Sequence, residues 1–282
     1  MFSATAGGSL PNMALPTRSQ PRARPSAPPP IVILAGVGAA FFIIPLVGLL
    51  LRTPWTSAWY ELGSAEVLAA LRLSLLASFS ATAIALILGV PLAWTFARLT
   101  FPGRSVLRAV TVLPMVLPPV VGGVALLLAF GRRGLLGGWL ATTFGIHLPF
   151  TTAGAIMAET FVAMPFLVIT VEAGLRSMDT RFEDAARTLG ASRWTVLWRV
   201  TLPLVRPSLI AGAVLCWARA LGEFGATITF AGNFPGRTQT MPLAVYLALE
   251  TDPDAAIVLS LVLLAVSLAV LIGLRDRWLG AS

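Results

Sequence analysis

Long apolar runs alternate with short polar stretches along this chain, and six of the runs have the length of a membrane span. A helix of about 20 apolar residues crosses a hydrocarbon core that is about 30 Å thick. We place the six predicted spans at residues 31–51, 73–94, 109–130, 153–171, 209–230 and 255–274. A shorter run, 241–249, predicts a re-entrant or interfacial helix. Since no run alternates with the period of a strand, the pattern predicts an all-α integral membrane protein with six transmembrane helices.

Composition agrees with this class and separates the N-terminal segment from the rest. The chain is 57% hydrophobic and only 11% charged, whereas soluble domains carry about 25% charged residues. Residues 1–30 are rich in proline, serine, alanine and glycine, and predict a disordered cytoplasmic tail before the first transmembrane helix, 31–51. A cleavable signal peptide is the alternative, but the apolar run of 21 residues is longer than a signal core.

The positions of the basic residues predict the orientation of the spans. All 20 are arginines. With the N-terminus inside, 14 lie in predicted cytoplasmic segments and 5 in outer loops, while Arg219 lies within a span. The positive-inside rule therefore predicts that both termini and the loop 176–207 are cytoplasmic. The same bias accounts for the net charge of +8 without a nucleic-acid partner.

No catalytic or metal-binding pattern is legible in the sequence. Because the chain lacks lysine, it cannot carry a Walker A loop, whose lysine contacts the phosphates of ATP. Cys216 has no second cysteine to pair with, and His147 has no second metal ligand near it in sequence. We therefore expect no cofactor and no enzymatic activity in this chain. If transport consumes ATP, another subunit must bind it.

The charged loop 176–207 predicts two short helices joined by a tight turn. Thr180 and Glu183 have the spacing of a capping box, in which each side chain bonds the other residue's free amide. Gly190 suits the left-handed position that ends a helix, and Ser192 can cap a second helix that runs to about residue 200. Pro203 is expected to stop that helix. Glu183 and Arg187 are spaced for an ion pair, and the apolar positions on a separate face of the first helix are Phe182, Ala185, Ala186 and Leu189.

A helix-turn-helix between two spans is what a membrane protein needs to receive force from a soluble motor. A solvated connection without function is one alternative. A DNA-binding motif is another, although the flanking spans argue against it.

The loop resembles the EAA signature of ABC importer permeases, which reads Glu-Ala-Ala, three residues, Gly, nine residues, Ile-x-Leu-Pro. Here Asp184 is followed by two alanines, Gly190 has the matching position, and Val200 precedes Leu202 and Pro203 at the matching spacing. Asp replaces Glu and Val replaces Ile. The resemblance implies a coupling helix that sits in a cleft of an ATP-binding subunit. The docking residues it implies are Glu183, Asp184, Ala185, Ala186, Leu189, Gly190, Ala191, Ser192, Leu202 and Pro203.

Further stretches resemble the molybdate branch of this family. They are residues 113–119, 131–134, 219–233, 235–236 and 240–243, within a permease core at 65–275. The resemblance implies a type I ABC importer permease fold and a homodimer in the plasma membrane of a bacterium or archaeon. It also implies two copies of an ATP-binding subunit, an extracytoplasmic oxyanion-binding protein, and molybdate or tungstate as cargo. A sulfate or thiosulfate permease is the alternative within the class, and a channel or secondary transporter is the alternative outside it.

Polar and charged residues inside the predicted spans are candidates for the translocation path. Ionisable side chains within spans are usually paired or line a watery cavity, so Arg219 and Glu223 form either a structural pair or part of the path. Glu159 lies seven residues into its span. Pro118 is expected to kink the third span near a gate. The path or gate candidates are Arg219, Gly222, Glu223, Gly225, Thr227, Thr229, Asn233 and Pro118. Close helix packing would explain the glycines equally well.

Overall fold

The computed structural model describes residues 28–279, with side chains through residue 273. Helices and their connections make up this part of the chain, which contains no strand. The helices are α1 (Pro29–Arg52), α2 (Trp55–Leu62), α3 (Ala65–Arg98), α4 (Arg104–Val116), α5 (Pro119–Phe130), α6 (Gly137–Phe144), α7 (Thr152–Ser177), α8 (Arg181–Thr188), α9 (Arg193–Val196), α10 (Leu202–Leu204), α11 (Arg206–Leu221), α12 (Gly225–Ala231), α13 (Met241–Thr251) and α14 (Pro253–Leu279). A π-helical turn, Leu197–Thr201, lies between α9 and α10. The all-α prediction is confirmed for these residues.

The chain divides into two compact units. The first ends at Gly48 and includes most of α1; the second begins at Leu49 and contains the remaining helices. The predicted tail, 1–30, lies outside the described residues except for its last three, and α1 already begins at Pro29.

Four helices are long and apolar enough to cross a membrane, namely α1, α3, α7 and residues 253–273 of α14. A fifth candidate is the pair Arg193–Leu204 and Arg206–Leu221, which is bent by 70°. Helix length and composition therefore give four or five spans, and the expected count of six is not confirmed. The short run at 241–249 corresponds to α13, whose placement in a membrane stays a prediction.

The predicted third span, 109–130, is not one helix. α4 ends at Val116, Leu117 has an extended backbone, and α5 begins at Pro119. Proline lacks an N–H group, and it disfavours helical geometry in the residue before it. The break expected from Pro118 is therefore present, and it divides the span into two short helices.

The predicted fifth span, 209–230, is also interrupted. α11 ends at Leu221 and α12 begins at Gly225, with Gly222 as the C-cap of the first helix. The apolar pattern of the sequence continues across this break, so periodicity alone did not reveal it.

Small residues form the core between α3, α7 and α11. Ala81, Ala85 and Ala93 of α3 are fully buried against the side chains of α7. A Cβ atom added to Gly89 would lie 2.9 Å from a methyl carbon of Leu167 on α7. Such close approach is how helices associate in a bilayer, where burial of apolar surface supplies little driving force. The small residues thus bring α3, α7 and α11 into close contact.

Candidate functional site

The turn after α8 forms as the sequence predicts. Gly190 has φ of +84°, and a Cβ atom there would have no neighbour within 4 Å, so the left-handed conformation is what selects glycine. The amide of Gly190 bonds the carbonyl of Arg187, and the amide of Ala191 bonds the carbonyl of Ala186. These two bonds define a Schellman motif. Ser192 then caps α9, since its hydroxyl accepts a hydrogen bond of 3.1 Å from the amide of Thr195.

The predicted capping box of Thr180 and Glu183 is wrong. Thr180 has helical backbone angles, φ −68° and ψ −15°, and its side chain makes no cap hydrogen bond. Asp179 instead accepts the amide of Arg181 at 2.9 Å. The capping box fails because the Glu183 side chain points into the protein rather than back along its own helix.

Glu183 is the centre of a buried polar contact that joins three elements. Its side chain is 6% exposed. Its Oε1 accepts a hydrogen bond of 2.7 Å from the hydroxyl of Thr201 in the π-helical turn, and it pairs at 3.3 Å with Arg98 at the end of α3. The predicted partner Arg187 lies 4.0 Å away and is nearer to Asp184, at 3.3 Å. A buried carboxylate that bridges separate elements will oppose their independent movement.

The expectation that Pro203 stops the second helix is also wrong. The helical path continues from α9 through the π turn to Leu204, and the chain bends at Val205. A proline ring clashes with the carbonyl four residues before it in a regular α-helix. The wider π turn ends two residues before Pro203 and leaves room for the proline ring. The same turn places the hydroxyl of Thr201 against the carboxylate of Glu183.

Four large apolar residues of this region are exposed, whereas Glu183 is buried. We define the docking surface as Phe182, Leu189, Trp194 and Trp198, all of which are exposed, Leu189 by 88%. Of the remaining predicted docking residues, Asp184, Ala185, Gly190, Ser192 and Pro203 are exposed, and Ala186, Ala191 and Leu202 are half-buried. Exposed apolar patches are typical of surfaces that contact a protein or a membrane. α8 therefore buries Glu183 and exposes Asp184 and Phe182.

A second buried carboxylate lies near this region and was missed by sequence reasoning. Glu172 of α7 pairs with Arg108 of α4 at 2.9 Å and with Arg176 at 2.7 Å. Arg176 also donates to the carbonyl of Phe96, as does Arg104. In the sequence, these arginines were used only to predict the orientation of the spans. Glu172 and Arg176 are four residues apart, a spacing that favours an ion pair on a helix, and this was the sequence signal for the contact.

The break between α11 and α12 holds another ion pair. Arg219 pairs with Glu223, and Glu223 is buried with its Oε1 accepting the amide of Ala226 at 2.8 Å. The carboxylate thus neutralises the arginine and also bonds an otherwise free amide at the start of α12. The two side chains therefore pair, and their part in the path stays a prediction.

Buried polar atoms without a partner surround this break. Among the described residues, no hydrogen bond satisfies Glu159 Oε2, Thr227 Oγ1 or Asn233 Oδ1. Thr229 differs, because its hydroxyl donates to the carbonyl of Gly225 at 2.8 Å. Unsatisfied buried groups are costly and cluster where water or a ligand reaches them.

The two candidate glycines at the break have different surroundings. A Cβ atom on Gly225 would lie 2.8 Å from Cβ of Pro119, the residue after Pro118, so helix packing requires glycine there. A Cβ atom on Gly222 would meet only the carbonyl of Ala218, at 3.6 Å. Packing therefore explains Gly225 and not Gly222.

The described residues contain no group of three or more His, Cys, Asp or Glu side chains that could hold a metal ion. The buried carboxylates of Glu172, Glu183 and Glu223 form ion pairs with arginines instead.

Comparison with known proteins places the chain among transport proteins. Residues 85–280 match the family described as binding-protein-dependent transport system inner membrane component. The chain is 46% identical over 249 residues to the molybdenum transport system permease protein ModB of Mycobacterium tuberculosis, covering 88% of this chain and 93% of that protein. It is 38% identical over 231 residues to the sulfate transport system permease protein CysT of Escherichia coli, covering 82% and 83%.

Solved structures show the same fold at lower identity. A bacterial ABC transporter that imports the acidic polysaccharide alginate matches with a TM-score of 0.69 and 17% identity, covering 89% of this chain and 95% of that chain. A bacterial alginate transporter in complex with an alginate pentasaccharide-bound periplasmic protein matches with a TM-score of 0.67 and 18% identity, covering 86% and 90%.

Proposed function

Because the chain belongs to the family of binding-protein-dependent transport system inner membrane components, we propose that it is the membrane subunit of an ABC importer that carries molybdate into the cytoplasm. It is a permease subunit, and ATP is bound and hydrolysed by a partner. The coupling region, residues 176–207, carries the proposal, since its buried Glu183 and exposed apolar side chains suit docking to a motor.

Molybdate is the favoured cargo because the ModB relative is 46% identical and the sulfate permease CysT 38%. Tungstate has the same charge and tetrahedral shape, so it is a second cargo for the same path. Sulfate is the alternative that these relatives leave open.

The working assembly is a homodimer of this chain with two copies of an ATP-binding subunit and one oxyanion-binding protein on the outer face. The periplasmic protein bound to an alginate transporter of the same fold supports the last partner. Both termini and the coupling region face the cytoplasm, in agreement with the arginine distribution.

Force from the ATPase reaches the spans through the contacts of Glu183. The docking surface moves with the ATP-binding subunit as the motor closes. Because Glu183 binds Arg98 on α3 and Thr201 before α11, movement of α8 carries both elements with it. The spans then alternate between outward-open and inward-open states, and the oxyanion crosses with each cycle.

The path runs beside the break between α11 and α12. Thr227, Thr229 and Asn233 offer neutral polar groups, and Gly222 is exposed. Glu223 compensates the charge of Arg219, so the pair attracts a dianion only weakly. Low affinity in the path suits an importer whose binding protein selects the cargo.

Co-purification with the ATP-binding subunit tests the central claim. Gly190→Pro cannot adopt φ of +84° and should abolish co-purification. Gly145→Pro is the matched control, because Gly145 also ends a helix with positive φ, +66°, and has no neighbour within 4 Å of an added Cβ atom. Retention of the ATPase by the Gly190 variant would contradict the docking proposal.

Transport assays identify the cargo and distinguish an importer from a channel or secondary transporter. Uptake of radiolabelled molybdate and sulfate in a strain lacking this gene identifies the cargo. A channel or secondary transporter would move the oxyanion with the purified chain alone, whereas an importer needs the ATPase in the same vesicle.

A further inference from the structure

Glu172 joins two helices through one buried carboxylate. Its side chain is 2% exposed, and its Oε2 accepts a hydrogen bond of 2.9 Å from Nε of Arg108 on α4. Its Oε1 accepts a bond of 2.9 Å from Nε of Arg176, one turn further along α7. A buried carboxylate is costly unless it is paired, and here each oxygen has a guanidinium partner. The pair with Arg108 therefore ties α4 to α7 across 64 residues of sequence.

Few other contacts hold the start of α4. Within this helix, all of which the structure describes, only Pro114 is buried, and Val106 and Val116 are more than half exposed. Its side-chain hydrogen bonds to other helices, within the described part of the chain, come from Arg104 and Arg108. The first two turns of α4 are therefore attached to the rest of the protein by charged contacts.

The end of α3 connects these contacts with Glu183. The carbonyl of Phe96 lies in the last turn of α3, where carbonyls have no partner within their own helix and positive charge is favourable. It accepts hydrogen bonds from Arg104 of α4 and Arg176 of α7. Two residues further along the chain, Arg98 pairs with Glu183 of α8. Ion pairs and hydrogen bonds thus connect α8, through the end of α3, to α4 and α7.

α4 leads directly into the broken span. Only Leu117 and Pro118 separate it from α5. α5 in turn lies tightly against α12, since a Cβ atom added to Gly123 would be 2.6 Å from Cβ of Thr229. Helices packed at this density transmit a displacement to each other. Movement of α4 therefore reaches α12 and the break that precedes it.

We propose that Glu172 is a positioning residue that holds α4 to the end of α3 and α7, so that the broken span follows the movement of the coupling region. The inference rests on the proposed function, in which an ATP-binding subunit moves that region. Glu183 is the first link, between α8 and α3, and Glu172 is the second, which adds α4. Loss of the second link alone leaves the docking surface and ATP hydrolysis in place, while the path no longer opens and closes with the motor.

Molybdate uptake and ATP hydrolysis, measured together on the permease–ATPase complex in vesicles with its binding protein, test the inference. Arg108→Gln removes the link between the helices and leaves Glu172 paired with Arg176, so the buried carboxylate keeps a cation. Molybdate imported per ATP hydrolysed should fall about tenfold in this variant, while the rate of ATP hydrolysis stays within about twofold of that of the unmodified complex. Arg108→Lys keeps the positive charge and should restore the ratio to within about threefold.

Arg72→Gln is the matched control. Arg72 is an exposed residue of α3 and makes no ion pair among the described residues, so its replacement removes the same charge without breaking a contact of this kind. The ratio of molybdate imported to ATP hydrolysed should change by less than about twofold in the control. The melting temperature of every variant is measured on the same preparations.

Four results would overturn the inference. The first is a normal ratio of import to hydrolysis in Arg108→Gln, and the second is a ratio in Arg108→Lys as low as in Arg108→Gln. The third is a parallel loss of uptake and ATP hydrolysis with a lower melting temperature, which would make the pair a stabilising contact only. The fourth is an equal fall of the ratio in Arg72→Gln, a general effect of charge. Failure of the unmodified complex to import molybdate with ATP would contradict the proposed function itself, so the two failures are distinguishable.

Discussion

The coupling region and the break between α11 and α12 each bury a glutamate beside an arginine, but the two pairs differ in reach. Glu183 pairs with Arg98, 85 residues away, and with Thr201, 18 residues away. Glu223 pairs with Arg219, four residues away, and caps the helix that follows it. The first pair joins elements that would otherwise move separately, whereas the second supports a local interruption of one span. The force-transmitting role that we propose therefore belongs to Glu183, whose partners are distant in sequence.

Removal of Glu183 should have the largest effect. Glu183→Ala leaves Arg98 partly buried without its partner and should cost about 3 kcal/mol of stability. Uptake should fall at least about tenfold, because α8 loses its link to α3. Melting temperature and oxyanion uptake in vesicles measure the two effects. Glu250→Gln, at an exposed acid outside the coupling region, is the control. Normal oxyanion uptake by Glu183→Ala would contradict the proposal that Glu183 links the movement of α8 to α3.

Arg219→Gln should affect stability more than transport. It leaves Glu223 buried without its cation and should cost about 2 kcal/mol. Because the pair has little net charge, uptake per folded permease should stay within about threefold of the unmodified protein. Thermal unfolding and single-cycle uptake measure this. A loss of uptake without a loss of stability would place Arg219 in the path itself.

Gly225→Ala and Gly222→Ala test the packing around the same break. The methyl group on Gly225 would press on Pro119 and should cost about 2 kcal/mol. The methyl group on Gly222 would make only an ordinary contact of 3.6 Å with the carbonyl of Ala218 and should change stability by less than about 0.5 kcal/mol. Equal melting temperatures of the two variants would contradict the close contact of α12 with α5.

The caps of the coupling region should show the smallest effects. Ser192→Ala removes a cap hydrogen bond and should cost about 1 kcal/mol. Thr180→Ala should be close to neutral, because Thr180 makes no such bond. Thermal unfolding of the two variants provides the measurement. A larger loss of stability for Thr180→Ala than for Ser192→Ala would support the predicted capping box.

Local signals predicted the features that depend on neighbouring residues. Gly190 and Ser192 act as expected because a left-handed turn and an N-cap involve only a few adjacent amides. Pro118 interrupts its span because a proline lacks the amide that a helix needs. The direction of the Glu183 side chain was not predictable in this way, since Arg98 and Thr201 are remote in sequence.

The sequence by itself determined the all-helical apolar class, the turn at Gly190, the break at Pro118 and the EAA-like spacing of the coupling region. Each follows from local backbone chemistry or from the length of an apolar run. Only the tertiary structure decided that Glu183 is a buried bridge, that Gly225 is required by Pro119, and that Glu172 pairs with Arg108 of α4. These depend on which distant segments meet, and the packing of helices against each other sets that.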